Sequence, residues 1–491
     1  MNWLPLLAAA PAVLLAVQVH LTCGGIVYSL DDPYIHLALA KHIALGHYGI
    51  NAGEFAAPSS SILWPFLMAP FAATPVFELV PLALNIAALL VTVWWLQRWL
   101  ETYMPPPWAL LATTALAFAL NFYGLVLSGM EHSLQVALVV IIGISLMRAR
   151  LAWPFWLAVT LLPLVRYEGM AISLAALGYL VLGREHRLHA IASGAIICAI
   201  IGGFSLFLYR LGLGWLPSSV MAKTSLVGGG FLGNLQLQFA VAALAAIAFG
   251  LLLREGRYRE AVLLVALPTL LHLSFGKHGW FGRYHIYFAA WILILFLAVY
   301  ARSTLPRSMA LNALLAAGFA WGAAGDMAVT LATAASARNV HDQQKQMALI
   351  VRDHLDEPVA VNDIGIVALY ARRYVLDLYG LASYEALQSR SDPATEVWVR
   401  RLMQRHRVEH AIVYAKWFER RPTDWIHVAT LHLPAPWVVD AAGDDKVDFY
   451  ATGPEAAAGA RRLSQGLGAG GDDAGDGAAV STALTDRDRD C

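Results

Sequence analysis

Charged residues are scarce in this sequence of 491 residues: 14% are Asp, Glu, Lys or Arg, against 58% that are hydrophobic. Soluble globular domains carry about 25% charged residues, so much of this chain has too little charge to face water. Acidic and basic residues are equal in number, 34 of each, which gives no basic surplus of the kind that binds nucleic acid. The composition predicts a membrane protein.

Cysteine is scarce as well. Cys23, Cys198 and Cys491 show neither a metal-ligand spacing nor a disulfide framework. The first apolar segment also lacks the basic start and the small-residue cleavage site of a secretory signal peptide. Residues 3–22 are therefore predicted to remain as a membrane helix.

Long apolar runs are what the sequence has in abundance. A membrane-spanning helix needs about 20 apolar residues, or fewer where protein covers its ends. This criterion predicts eleven spans, at residues 3–22, 78–98, 107–127, 131–148, 151–165, 168–183, 190–211, 233–253, 260–275, 285–301 and 309–331. Residues 59–73 are too short and are interrupted by Pro65 and Pro70, so they are predicted to form an interfacial helix.

Residues 151–183 raise a question of length. A single helix over these residues would be about 50 Å long, well beyond the roughly 30 Å hydrocarbon core of a bilayer. Pro163 and the sequence "RYEG" at 166–169 instead predict two short helices that meet near the outer face. Because short helices expose backbone groups at their ends, the junction is expected in a protein-lined cavity rather than in lipid.

The arginines between the predicted spans fall on one side of the membrane: Arg98, Arg148, Arg150, Arg184, Arg187, Arg254, Arg257, Arg259, Arg302 and Arg307. The positive-inside rule makes that side cytoplasmic. The sequence thus predicts a multi-pass membrane protein with a cytoplasmic amino terminus. The loop 21–77 and everything after residue 335 are predicted to be extracytoplasmic.

The pattern after residue 335 is that of a small α/β domain, predicted at 338–452. Its strand candidates lie within 358–381, 409–415, 425–433 and 445–451, and residues 453–491 are predicted to be disordered. We expect this domain to fold on its own and to shape acceptor binding. We do not expect it to supply a base, because its acids, such as Asp363, are far along the chain from the first loop.

Polar residues that could carry chemistry lie in five loops on the predicted outer side: Asp31, Asp32, Tyr34, His36, Glu131, Arg166, Glu168, Lys223, Arg283 and Tyr284. One aspartate of the 31–32 pair could cap a helix that begins at Pro33. A second adjacent carboxylate is unfavourable unless it meets a cation or a proton, which favours a functional pair.

The remaining residues also have simpler interpretations. Glu131 could offset a helix dipole, and Arg166 and Glu168 could pair only with each other. Lys223 and Arg283 could be solvated loop charges. Together, however, a carboxylate can serve as general base toward a hydroxyl, and cations can stabilise a phosphate leaving group. That combination predicts glycosyl transfer from a polyprenyl-phosphate sugar.

Several motifs, in this order, resemble the GT-C-fold membrane glycosyltransferases. They are "DDPY" with "GHYG" and "SSSILW" in the first loop, then "SGMEHSL", "VRYEGM" and "FGRYH", and more weakly "VAVNDIGIVALYARRYVLDLYGL" in the outer domain. Within the family the likeness is greatest to bacterial members such as the mycobacterial terminal arabinofuranosyltransferases. The resemblance implies lipid-phosphate-linked sugar donors, inverting transfer and catalysis on the external face.

The resemblance also assigns roles. The catalytic aspartate of the family maps onto Asp31 or Asp32, and we expect the other to orient it or hold a cation. The remaining eight residues are expected to bind substrate. The expected partners are a polyprenyl-phosphate-sugar donor, a cell-envelope glycan, lipid or protein acceptor, and membrane lipids. No cofactor is certain, and a divalent cation is left open.

Two other classes of protein fit parts of the pattern. A transporter or flippase of a lipid-linked glycan would line its path with charges, but it should show inverted repeats and acids near mid-membrane. The sequence shows no such repeat, and its acids cluster at one face. A receptor anchored by its helices would not need eleven of them.

Overall fold

The structure is a computed structural model that describes residues 4–184, 186–224, 230–303, 308–390, 392, 395–418, 420–434, 437–438, 443–458 and 484–485. An α-helical bundle occupies the first two thirds of the chain. A small sheet domain follows and packs against the long loop after the first helix. This agrees with the predicted polytopic α-helical fold with a C-terminal α/β domain.

The bundle is built from helices of very different lengths. They are Leu4–Leu7, Ala10–Cys23, Val80–Leu100, Pro106–Ala119, Phe122–Leu127, His132–Met147, Trp153–Val165, Met170–Gly183, Arg187–Arg210, Ser218–Thr224, Gly230–Leu237, Phe239–Arg254, Tyr258–Glu260, Leu267–Phe275, Ile286–Arg302, Met309–Gly322 and Ala324–Val340. A π-helical stretch, Ala261–Ala266, makes Tyr258–Phe275 one continuous helix.

Within the described residues, Phe77–Leu100, Arg187–Arg210 and Tyr258–Phe275 are long and apolar enough to cross a membrane. Two pairs of helices, bent by 91° at residue 238 and by 46° at residue 323, also qualify if each pair is one span. Six further apolar helices have 10–17 residues. Each predicted span contains one of these elements, but that eleven of them cross the membrane remains a prediction.

The predicted break within 151–183 is confirmed. Trp153–Val165 ends at Arg166, whose backbone is extended (φ −153°, ψ 137°), and a 3₁₀ turn, Tyr167–Gly169, leads into the next helix. A Cβ at Gly169 would lie 2.6 Å from the Leu162 side chain and 2.8 Å from its carbonyl oxygen, so the turn closes tightly on the preceding helix. This geometry places Arg166 inside the protein instead of in lipid.

Three of the arginines predicted to be cytoplasmic bind the carboxyl ends of neighbouring helices. Arg148 donates to the Arg98 carbonyl at 2.7 Å, Arg302 to that of Met147 at 2.6 Å, and Arg259 to that of Leu182 at 3.0 Å. Helix carboxyl ends have unpaired carbonyls and a negative dipole end, which a guanidinium satisfies. The arginines therefore also stabilise one end of the bundle; its orientation in the membrane remains a prediction.

The first loop carries helix Asp32–Ala44, then helix Trp64–Met68 and two 3₁₀ turns, Ala69–Phe71 and Phe77–Leu79. Helical structure within 59–73 agrees with the prediction, although it is short. The Ser61 hydroxyl accepts a hydrogen bond from the Trp64 backbone N–H at 3.0 Å, at the first residue of this helix.

The sheet domain has six strands in the order β2-β1-β3-β5-β4-β6. They are β1 Val359–Val361, β2 Val375–Asp377, β3 His410–Val413, β4 Ile426–His432, β5 Lys446–Ala451 and β6 Leu484–Thr485. The first five lie within the predicted strand segments. Helical segments accompany them: the π-helical turn His341–Lys345, helices Gln346–His354, Gly365–Tyr370, Tyr384–Ser389 and Thr395–His406, and the 3₁₀ turn Ala415–Trp417.

Strand β1 lies between β2 and β3 and is parallel to both, and helix Gly365–Tyr370 connects β1 to β2. In sheets of this kind, side chains that follow the carboxyl ends of parallel strands collect at one edge. In this protein that edge meets the first loop. Of the tail predicted to be disordered, residues 459–483 and 486–491 lie outside the described residues.

Candidate functional site

The two adjacent aspartates bind opposite parts of the molecule. The Asp31 carboxylate accepts hydrogen bonds from the backbone N–H groups of Gly365 at 2.5 Å and Ile366 at 2.9 Å, at the start of a helix in the sheet domain. The Asp32 carboxylate pairs at 2.6 Å with Arg283, more than 250 residues away in the bundle. Asp31 occupies the N-cap position of helix Asp32–Ala44, but its side chain makes no capping hydrogen bond there. The simple capping interpretation therefore does not account for the pair.

Asp31 is buried and has a second acid beside it. Burial and then the charge of Asp363 raise the pKa of Asp31 well above its ordinary value. Burial also raises the pKa of Asp363, whose carboxyl lies beside that of Asp31. Asp363 accepts from the Tyr414 hydroxyl at 2.9 Å and from the Gln344 amide at 3.3 Å. Asp363 is therefore close to the first loop in space, although it is far from it along the chain, because β1 ends next to that loop.

Asp32 is less enclosed than Asp31, with 19% of its side chain exposed, whereas its partner Arg283 is 1% exposed. The Nη2 atom of Arg283 also donates to the Tyr284 hydroxyl at 3.0 Å. Its Nε and Nη1 atoms are buried and have no hydrogen-bond partner within the described part of the chain. A buried guanidinium with unused donors is costly unless an anion binds it, so this is a candidate anion site.

A second arginine, Arg166, is fully engaged by carboxylates. Its Nη1 atom donates to Glu131 at 2.7 Å, and its Nε and Nη2 atoms donate to Glu168 at 3.2 and 2.8 Å. Glu131 has no exposed side-chain surface. Arg166 and Glu168 do pair, as their simpler interpretation held, but Glu131 from another helix joins them.

Two further residues extend this group. The Nε2 atom of His36 lies 3.7 Å from Glu131, and its Nδ1 atom lies 3.1 Å from the Ser59 hydroxyl. The Tyr284 ring lies between the two arginines, with its centroid 5.4 Å from the Arg166 guanidinium carbon and 4.9 Å from that of Arg283. Tyr284 therefore joins the two arginine centres into one buried polar cluster.

The cluster brings together seven of the ten residues selected from the sequence: Asp32, His36, Glu131, Arg166, Glu168, Arg283 and Tyr284. Asp31 faces the sheet domain. The buried Tyr34 hydroxyl accepts from the Tyr28 backbone N–H at 3.2 Å, and the two rings pack edge to face. Lys223 lies in helix Ser218–Thr224, and its side chain is outside the described residues.

Residues that join the first loop to the sheet domain were not found from the sequence. The Asn51 side chain exchanges two hydrogen bonds of 2.9 Å with the Val375 backbone, at the edge of β2. The Tyr374 hydroxyl donates to Glu54 at 2.5 Å, and the Tyr370 hydroxyl donates to Glu78 at 2.9 Å. The only signal in the sequence for a contact at this edge of the sheet was the polar sequence "VNDIG" after β1. Strand ends of this kind commonly carry functional groups.

A divalent cation, which the sequence left open, does not fit this set of side chains. The carboxylates of Glu131, Glu168 and Asp32 are bound to guanidinium groups. No group of three or more His, Cys, Asp or Glu side chains in the described residues is arranged to hold a metal.

The comparisons with known proteins bear on fold. Residues 336–450 match the family model described as "Domain of unknown function (DUF8728)". No curated protein sequence matches the chain. A crystal structure of ArnT from Cupriavidus metallidurans, in the apo state, is similar with a TM-score of 0.56 and 12% identity over 92% of this chain and 98% of that one.

A crystal structure of the Archaeoglobus fulgidus oligosaccharyltransferase complex with Zn and sulfate is also similar. Its TM-score is 0.45 and its identity 12%, over 88% of this chain and 72% of that one. The likeness to ArnT, which extends over nearly the whole of both chains, confirms the GT-C-like fold. The finer likeness to arabinofuranosyltransferases remains a prediction.

Proposed function

We propose that this protein is an inverting membrane glycosyltransferase. It transfers a sugar from a polyprenyl-phosphate donor to a glycan, lipid or protein acceptor of the cell envelope, at the outer face of the inner membrane. The observation that carries the proposal is the buried Arg283, which pairs with Asp32 and keeps two unpartnered donors. The similar fold of ArnT, a glycosyltransferase, supports it.

Asp32 is the better candidate for the general base. Of the two aspartates it has the more exposed side chain, while both oxygens of Asp31 accept hydrogen bonds from the sheet domain. The acceptor oxygen attacks the anomeric carbon, and its proton passes to the Asp32 carboxylate. The bond between the anomeric carbon and the phosphate oxygen breaks, and polyprenyl phosphate leaves.

Arg283 suits the leaving group. As the carbon–oxygen bond breaks, negative charge develops on the phosphate, and the Nε and Nη1 atoms of Arg283 supply two preorganised donors. The same guanidinium holds Asp32 through Nη2, so it orients the base and the departing phosphate together. Arg166, already bound to two glutamates, stabilises the fold around Tyr284.

The test uses purified full-length protein in lipid nanodiscs, supplied with polyprenyl-phosphate-linked pentoses and hexoses and with envelope glycans as acceptors. Released polyprenyl phosphate is measured. Asp32→Asn should reduce turnover by about 10²–10⁴-fold, the usual contribution of a positioned base. Asp356→Asn is the matched control, because Asp356 is an exposed aspartate of the sheet domain.

If Asp32→Asn were as active as the wild type, Asp32 could not be the general base. The alternative function, a flippase, is tested in vesicles with the same lipid-linked sugars. Movement of the intact lipid across the bilayer without release of polyprenyl phosphate would favour that function. The lipid-linked-sugar profile of a deletion strain then identifies the donor, which should accumulate.

A further inference from the structure

We propose that Asp31 and Asp363 are positioning residues that share one proton and hold the sheet domain against the first loop, so that Asp32 stays beside Arg283. This interdomain latch comprises Asp31, Asp363 and the Gly365–Ile366 backbone. The proposal deepens the proposed function and rests on it for the role of Asp32. It assigns the sheet domain a part in the catalytic centre.

The geometry of the latch favours one proton on the two acids. Both oxygens of Asp31 accept from the backbone N–H groups of Gly365 and Ile366, which places this carboxyl next to that of Asp363, two residues before Gly365. Two ionised carboxylates repel each other, and neither can donate a hydrogen bond. A proton shared by the two acids removes this repulsion while the latch is closed.

The Asp363 side chain is held in place by the rest of its domain. The Tyr414 hydroxyl and the Gln344 amide donate to it, and the backbone of Tyr414 is bound by the Asn362 side chain at 3.2 and 3.4 Å. Asp363 thus moves with β1 and β3 as a unit. A change in the latch is transmitted to the whole domain.

Gly365 shows how closely the two parts approach. A Cβ at this position would overlap the backbone oxygen and the carboxylate of Asp31. Only glycine allows the helix amino terminus to come so near the first loop. Because Asp31 and Asp32 are consecutive at the start of one helix, displacing Asp31 also displaces Asp32 from Arg283.

The pH dependence follows from the pKa directions. The pKa values of Asp31 and Asp363 are raised in the folded protein, mainly by burial, so the closed latch binds more protons than the open one. Its stability is greatest below the ordinary aspartate pKa and is lost as pH rises through the raised pKa values. The other groups that face the pair are Asp32 with its partner Arg283, the Tyr414 hydroxyl and the Gln344 amide.

The first test compares pH profiles of transfer. The wild-type kcat should fall on the alkaline side, while Asp363→Asn, whose amide donates to Asp31 without titrating, should keep its activity there. Asp363→Ala should lower kcat by about 10–100-fold at every pH, as small misplacements of reacting groups do, and should leave donor KM nearly unchanged. Asp356→Asn should have the wild-type profile. An alkaline limb shared by wild type and Asp363→Asn would overturn the shared proton, as would a wild-type profile with no alkaline limb.

The second test does not depend on activity. Amide hydrogen exchange of the full-length protein is followed in peptides that contain Ile366. Protection, corrected for the intrinsic effect of pH, should fall with rising pH in the wild type but not in Asp363→Asn. Gly365→Ala should abolish the protection of these peptides. Gly453→Ala, whose Cβ would meet nothing within 4 Å, should leave it unchanged. Unchanged protection in Gly365→Ala would overturn the latch.

The transfer assay and the hydrogen-exchange assay together distinguish failure of the proposed function from failure of the latch. If no lipid-linked sugar is turned over but Ile366 shows the expected protection, the proposed function fails and the latch stands. If Asp32→Asn loses transfer but protection at Ile366 is unaffected by pH, by Asp363→Asn and by Gly365→Ala, the latch fails and the function stands.

Discussion

The two buried arginines of the bundle differ in how many of their nitrogen atoms have a hydrogen-bond partner. Arg166 uses Nε, Nη1 and Nη2 on two glutamates. Arg283 has one aspartate and one tyrosine hydroxyl, both on Nη2, and two donor atoms remain without a partner within the described residues. Only the second centre can accept a further anion without losing a contact it already has.

This difference in pairing distinguishes an arginine that stabilises the fold from one that binds substrate. A buried ion pair is retained when each group has its partners, because leaving either group alone is costly. Folding by itself gives no reason to leave donors of Arg283 unsatisfied. We therefore interpret Arg166 as a structural arginine and Arg283 as a substrate-binding arginine, and the following experiments test that distinction.

The largest effect is expected at Arg166, whose nitrogen atoms are all paired. Arg166→Ala would leave the fully buried Glu131 without its cation, which typically costs about 3–5 kcal/mol of stability. Thermal unfolding and membrane abundance of the full-length protein measure this loss. Arg373→Ala is the control, because the Arg373–Asp356 pair is largely exposed and such pairs contribute about 1 kcal/mol or less. Equal stability of the two variants would contradict a structural role for Arg166.

The next effect concerns the incomplete centre. Arg283→Lys keeps the charge and can still pair with Asp32, but it lacks the planar set of donors that Nε and Nη1 provide. Losing one charge-assisted hydrogen bond costs about 1.5–3 kcal/mol, so turnover should fall by roughly 10–100-fold. The protein should unfold near the wild-type temperature. A variant that is destabilised as strongly as Arg166→Ala, with undiminished turnover per folded molecule, would reverse the two assignments.

The smallest effect is expected for Glu131→Gln. The amide can still accept from Arg166, and Glu168 keeps its two hydrogen bonds to that arginine. We expect a loss of stability of about 1–2 kcal/mol and a milder loss of transfer than in Asp32→Asn. Unfolding temperature and polyprenyl phosphate release are measured on the same preparation. A turnover as low as that of Asp32→Asn would move Glu131 into the catalytic centre.

The helical break at Arg166 shows where sequence reasoning succeeded. The length of 151–183 exceeded the bilayer thickness, and Pro163 with "RYEG" gave the position of the junction, which the structure has at Arg166–Gly169. Glu131, Arg283 and Tyr284 were selected as polar residues in loops on one predicted side of the membrane, and that they bind substrate remains a prediction. Such features depend on local composition, which the sequence contains in full.

Asp31 and Asp363 show where it did not succeed. They are 332 positions apart, and nothing in either neighbourhood indicates that they meet. The first-loop residues Asn51 and Glu54 likewise gave no sign that they bind Val375 and Tyr374 in the sheet domain. Distance along the chain was used as a guide to distance in space, and for Asp363 it was misleading.

The sequence by itself determined the lipid-facing character of the chain, the positions of its helices and strands, and the residue types of the polar cluster. These depend on hydrophobic periodicity, turn residues and charge, each of which is local. Only the tertiary structure decided which aspartate faces Arg283 and which faces Asp363, and which arginine is left with unused donors. Those outcomes depend on packing between segments hundreds of residues apart, where a hydrogen bond forms only if its donor and acceptor approach within about 3 Å, as the Gly365 backbone N–H and the Asp31 carboxylate do.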